Sequence, residues 1–76
     1  MGNTEFTFKI VKNIGVIAEH SYERSLELNL VSWQEKPAKF DIREWSKNHQ
    51  RMSRGITFTE EELETLYRIL GNYFRK

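Results

Sequence analysis

The sequence predicts an α+β fold, with several antiparallel strands followed by one C-terminal helix. Three observations predict it. Four segments before residue 59 alternate apolar and polar residues with a period of two, which is the pattern of a half-buried strand. Lys36-Pro37-Ala38 is a turn signal between two of those segments, and the polar stretch Ser46 to Gln50 is a loop between two others. From Thr59 onward the period changes to that of a helix, and a capping box marks the change.

Phe6-Thr7-Phe8-Lys9-Ile10-Val11-Lys12 opens the chain as a strand. Phe6, Phe8 and Ile10 are expected toward the core, with Thr7 and Lys9 on the other side. Asn13-Ile14-Gly15 interrupts the alternation, and Gly15 marks a bulge or a tight bend. Val16-Ile17-Ala18 then resumes strand character, so residues 6–20 form either one bent strand or two short ones. His20 to Arg24 reads as a connection. In residues 25–35, Leu26, Leu28 and Leu30 share one face, while Glu27, Asn29, Val31 and Trp33 share the other. In residues 39–47, Phe40 and Ile42 are expected inward, and Lys39, Asp41, Arg43 and Trp45 outward. Residues 52–58 form a fourth strand with Ile56 and Phe58 inward.

The helix is expected over residues 59–74. Thr59 is a good N-cap, and Glu62 completes the capping box. Glu60, Glu61 and Glu62 complement the N-terminal end of the helix dipole, and Arg75 and Lys76 the other end. Leu63, Leu66, Tyr67, Leu70, Tyr73 and Phe74 fall on one stripe, which Ile69 widens. Gly71 inside the pattern costs about 1 kcal/mol relative to alanine.

At 76 residues the chain is one domain, residues 1–76. So small a domain is marginal alone and relies on disulfides, metals or oligomerisation. It has no cysteine, so disulfides and thiolate metal sites are excluded. Oligomerisation remains, and the wide helical stripe suits a homodimer with Leu66, Ile69, Leu70 and Tyr73 at the interface. No apolar leader or membrane-length segment is visible, so a soluble, cytoplasmic protein is expected. His20 and His49 lack metal-ligand spacing. Asp41 and Glu44 have opposite strand parity and make no acid–base pair. No phosphate-binding glycine loop, nucleophile elbow or HExxH motif is present. The expectation is a non-enzyme with no cofactor, no metal, no membrane partner and no small-molecule substrate.

The net charge is only +1, but it is unevenly distributed. Lys36, Lys39, Arg43, Lys47, Arg51 and Arg54 face only Asp41 and Glu44 across the same stretch, while Glu60, Glu61, Glu62 and Glu64 gather in the helix. Such a zone is a directed electrostatic surface or an ordinary solvated face. Trp33 and Trp45 lie opposite the aliphatic face, among these cations. Exposed aromatics stack bases regardless of sequence, and cations take phosphates. The competing reading packs a tryptophan into a second small core or under a partner subunit. Arg43 has its own competing reading, a structural pair with Asp41 or Glu44. Arg51, Ser53 and Arg54 precede Gly55, where close backbone approach and phosphate contacts are possible.

These residues resemble a known family. Asp41-Ile42-Arg43-Glu44-Trp45 is similar to the "D-I-R-E-aromatic" strand of the positive cofactor four family of transcriptional coactivators. Arg54-Gly55-Ile56-Thr57-Phe58 resembles its "basic-G-I-S/T-hydrophobic" strand before the helix, and Phe8-Lys9-Ile10-Val11-Lys12 its opening "F-x-I-x-K". The resemblance covers roughly residues 6 to 74. It implies a four-stranded curved antiparallel sheet plus a C-terminal helix, assembled as a symmetric homodimer that binds single-stranded DNA with little sequence preference. It further implies a bare core of the bacterial or phage type, associated with the nucleoid. Lys12, Arg43, Trp45 and Arg54 match family positions on or near the DNA surface, and Trp33, with Lys36 and Lys39, matches an aromatic and lysines near the hairpin. Residues 13 to 25 are longer than the family segment.

The expected nucleic-acid-binding set is therefore Lys9, Lys12, Trp33, Lys36, Lys39, Arg43, Trp45, Lys47, Arg51, Ser53 and Arg54. The expected function is sequence-tolerant binding of single-stranded DNA, or RNA, in transcription, replication or repair. The alternatives are a protein-interaction module whose aromatic sheet face docks a partner, and a structural dimeric subunit of a larger complex.

Overall fold

The first two strands differ in length, and the mismatch shapes the sheet. The computed structural model describes residues 7–75, so Phe6 and Lys76 lie outside the described residues. Its elements are β1 (Phe8–Ser21), β2 (Arg24–Trp33), β3 (Lys39–Ser46), β4 (Ile56–Phe58) and α1 (Glu60–Tyr73). The strands form one antiparallel sheet in the order β1-β2-β3-β4. The fold is the α+β arrangement that the alternation and the capping box predict.

Residues 8–21 are one bent strand. Between the pairs Phe8↔Trp33 and Ser21↔Arg24, β1 advances thirteen residues while β2 advances nine. The excess enters at four register shifts, which leave Val11, Ile14, Ile17 and His20 without a paired residue on β2. Gly15 lies between two of these shifts. Each extra residue bends the strand and increases the local right-handed twist. β4 spans only three residues, shorter than the expected 52–58; ahead of it, Met52 makes an isolated bridge to Trp45.

The enclosed face is the one that was expected to lie outside. Val31 and Trp45 are fully buried, as are Asn29 and Asp41, and Glu27 is nearly so. Register places all of them on one face, together with Phe8 and Ile10 opposite Trp33 and Val31. The leucine face, with Leu26, Leu28, Leu30, Phe40 and Ile42, is only half-buried. Alternation sorts side chains onto two faces, but the coil of the whole sheet decides which one closes.

The helix begins as expected. The Glu62 amide donates to Thr59 Oγ1 at 3.1 Å, and the Thr59 amide donates to Glu62 Oε1 at 2.9 Å. It ends at Tyr73, before Arg75, so its last turn carries no basic residue. Among the described elements α1 touches only β3 and β4. Leu63 and Leu66 are half-buried, whereas Tyr67, Ile69, Leu70, Tyr73 and Phe74 are exposed. The molecule is accordingly elongated, 56 × 31 × 18 Å.

Candidate nucleic-acid interface

The aromatic residues form a closed cluster. The Phe8 ring lies 5.8 Å from Trp33 and 5.4 Å from Trp45, and the two indoles stack at 6.5 Å with an interplanar angle of 13°. The His49 ring covers Trp45 from the far side at 5.5 Å. Trp45 therefore has no surface on which a base could stack, and its expected outward role is corrected. Trp33 keeps part of its surface.

Arg43 is also turned inward. Its Nε and Nη2 donate to the two carboxylate oxygens of Asp41, each at 2.8 Å, in a bidentate fork. Nη1 donates to the Ser53 carbonyl at 3.3 Å, and the guanidinium carbon sits 4.5 Å over the Trp33 ring. Asp41 is fully buried and Arg43 half-buried, unlike the exposed pair considered from sequence. Gly55 allows the arrangement, since a Cβ there would lie 2.4 Å from Arg43 Cβ and 2.6 Å from the Ile42 carbonyl oxygen. Ser53 is structural too: its hydroxyl accepts from the Glu44 amide and donates to the Arg54 carbonyl.

Beside Arg43 lies a polar network that sequence reasoning missed. Glu27 accepts from Ser25 at 2.6 Å, from Asn29 and Asn13 at 3.1 Å, and faces His49 Nε2 at 2.9 Å. Burial acts to raise the Glu27 pKa, but the bonds from Ser25, His49 and Asn29 outweigh it and hold the carboxyl below its ordinary value. The shared face of Glu27 and Asn29 is visible in the sequence, but their burial is not. His49, which carries no metal-ligand spacing in the sequence, closes the network. The loop that carries it is cross-linked by Ser46 Oγ donating to Asn48 Oδ1, and by the Gln50 and Arg51 amides donating to Asn48 Oδ1 and Ser46 Oγ. His49 adopts φ 58° in this loop.

The cations that remain at the surface sit around this core. Lys9, Lys12, Lys36, Lys39, Lys47, Arg51 and Arg54 are all exposed. Lys36 ends, and Lys39 follows, a tight turn in which Gln34 and Glu35 both have positive φ, 51° and 62°, and the Lys36 amide donates to the Trp33 carbonyl. That is the geometry of a type I′ turn, placed ahead of the Pro37 signal read from sequence. Lys47 and Arg51 lie at the opposite end of the β2–β3 hairpin. There Lys47 Nζ donates to Tyr22 Oη at 2.6 Å. Nearby, Glu44 binds His20 at 2.8 Å and Arg24 at 3.1 Å. The His20 bond, aided by Arg24 and opposed by burial, lowers the Glu44 pKa.

Among the described residues no cluster of His, Cys, Asp or Glu could hold a metal ion. None of the described helices is long and apolar enough to cross a membrane. The chain is 34% identical over 70 residues to an uncharacterized protein of Treponema pallidum (strain Nichols), which covers 92% of this chain and 82% of that protein. Residues 22–69 match the profile of the family described as Transcriptional Coactivator p15 (PC4). This span runs from the β1–β2 turn through β4 into α1 and contains the core described above. The chain therefore belongs to the Transcriptional Coactivator p15 (PC4) family, a family of DNA-binding, non-enzymatic proteins.

Proposed function

We propose that this protein binds single-stranded DNA with little sequence preference and does so as a homodimer. One observation carries the reading: Arg43, Asn13 and Asn29 on the enclosed face are engaged by neighbouring side chains, while the surface cations stay outside. Arg43 is held by Asp41, and Asn29 and Asn13 by Glu27 and each other. Lys9, Lys12, Lys36, Lys39, Arg51 and Arg54 instead project long, flexible charges suited to phosphates. Phosphate contacts position a strand without reading it, which supports sequence tolerance. Family membership supports a DNA partner.

The aromatic contribution is smaller than two exposed tryptophans would give. Trp33 alone keeps an accessible part, so stacking by Trp45 is no longer part of the proposal. The same burial removes the open aromatic face on which a protein-docking module would depend.

A second copy is supported by what one copy leaves uncovered. Val31 and Trp45 are the fully buried hydrophobics among the described residues, and α1 buries none of its own. Such a helix draws most of its stability from packing against another surface. Ile69, Leu70 and Tyr73, beside the half-buried Leu66, are the proposed interface.

The test is a titration of labelled oligo-dT, its duplex and an RNA of equal length at two salt concentrations. Preference for the single DNA strand is expected, with log K falling by about 0.7 per phosphate neutralised for each unit of log salt. Equal affinity for single and double strands, or no binding at low salt, would overturn the reading.

A further inference from the structure

The end of the molecule opposite the Lys36 turn carries an aromatic that neither the family resemblance nor the strand pattern singles out. Tyr22 sits at the tip of the β1–β2 hairpin and is 78% exposed. The β3–β4 loop brings Lys47 onto one face of its ring, with the ammonium 3.8 Å from the ring centroid and 2.6 Å from Oη. The ring is thus oriented from one side, and its exposure leaves the other face for a ligand. Tyr22 lines a cleft of about 300 Å³; a second cleft of about 450 Å³, lined by Arg51, shares Glu23, Arg24 and Lys47 with it. Glu44 engages Arg24, and the acids lining the clefts are Glu19, Glu23 and Glu27, of which Glu27 is held by Ser25, Asn29 and His49.

We propose that this corner is a nucleotide subsite, where one base of a single strand stacks on the open face of Tyr22 and its flanking phosphates meet Lys47 and Arg51. The inference rests on the single-strand reading above and names a residue that reading does not contain. A cation fixed on one ring face polarises the ring and limits its motion, so stacking on the other face costs less ordering. With Trp45 enclosed and Trp33 half-buried, Tyr22 at the β1–β2 turn offers the more exposed ring beside Lys47. A base has the flat apolar face and the adjoining anionic linkage that this corner accepts. A bare anion would meet the acids without gaining the stacking.

The test compares Tyr22→Ala, Tyr22→Leu and Tyr22→Phe in the full chain, by anisotropy of labelled oligo-dT, with thermal unfolding measured for each variant. Loss of the ring is expected to weaken binding roughly tenfold in the Ala and Leu variants. Tyr22→Phe stays within about twofold of the parent, and unfolding is unchanged because the side chain is exposed. Photocrosslinking with iodouridine in the oligonucleotide is expected to tag Tyr22. A parent that binds while the Ala variant binds equally well, with no tag at Tyr22, overturns the subsite and leaves the single-strand reading standing. A parent that binds no oligonucleotide overturns both.

Discussion

Trp33 and Trp45 stack with ring centroids 6.5 Å apart, although the pairing of the strands places them far from each other. Trp45 pairs with Ser25, and Ser25 lies eight residues before Trp33 on β2. A flat sheet would separate the two positions by about 26 Å. The indoles meet because the sheet coils, and the coil encloses their face. Trp45 is thereby a core residue. Trp45→Ala is expected to destabilise the protein by about 3–5 kcal/mol, read by urea unfolding. Trp45→Phe is expected to cost less, since it also removes an indole N–H that is buried without a hydrogen-bond partner among the described residues.

The Arg43–Asp41 fork gives a second expectation. Asp41 is fully buried and Arg43 half-buried. Removing the arginine leaves an uncompensated buried carboxylate, so Arg43→Met is expected to cost about 3–5 kcal/mol. Replacing both residues, as Arg43→Met with Asp41→Leu, is expected to cost much less than the sum of the two single changes. A double-mutant cycle by chemical denaturation measures the difference. Oligonucleotide affinity of the folded double variant should remain near the parent value, because the two side chains are engaged with each other.

Acid sensitivity follows from Glu27. Its folded-state pKa lies below the ordinary value, because the bonds from Ser25, His49 and Asn29 outweigh the opposing burial. A depressed carboxyl contributes stability that is fully present above its unfolded pKa. That contribution is lost as pH falls through the lowered folded value. Stability is therefore expected to decline on acidification below the ordinary glutamate range. Glu27→Gln should flatten that decline while lowering stability near neutrality. Thermal unfolding followed across the acid range distinguishes the two curves.

The turn at Gln34 and Glu35 holds two ordinary residues at positive φ. Each costs about 1–2 kcal/mol relative to a residue at ease there. Replacing the pair by Asn-Gly is expected to raise stability by about 1 kcal/mol or more, seen as a higher melting temperature. Oligonucleotide binding should fall only if Glu35 shapes the position of Lys36.

The helix offers a test of assembly. Leu70 is 44% exposed and Ile69 58%, too exposed for either side chain to stabilise one copy much. Leu70→Glu is expected to shift sedimentation from dimer to monomer and to lower stability in a concentration-dependent way. An unchanged sedimentation profile would contradict the proposed interface.

Much of the fold is legible in the chain itself. Strand parity, the Lys36-Pro37-Ala38 break and the Thr59–Glu62 box predict antiparallel strands followed by a helix, because each is a local relation between residues close in sequence. The motifs at Phe8–Lys12, Asp41–Trp45 and Arg54–Phe58, in that order before the capped helix, carry the family resemblance. The site is legible only in part: the exposed lysines are readable as exposed, but Tyr22 gives no signal until the β3–β4 loop brings Lys47 to it. Alternation could group Glu27, Asn29, Asp41, Arg43 and Trp45 on one face, but it could not say that this face closes. That was decided by the coil of the sheet, which comes from four register shifts between β1 and β2. Register is a relation between strands, and only the assembled sheet contains it.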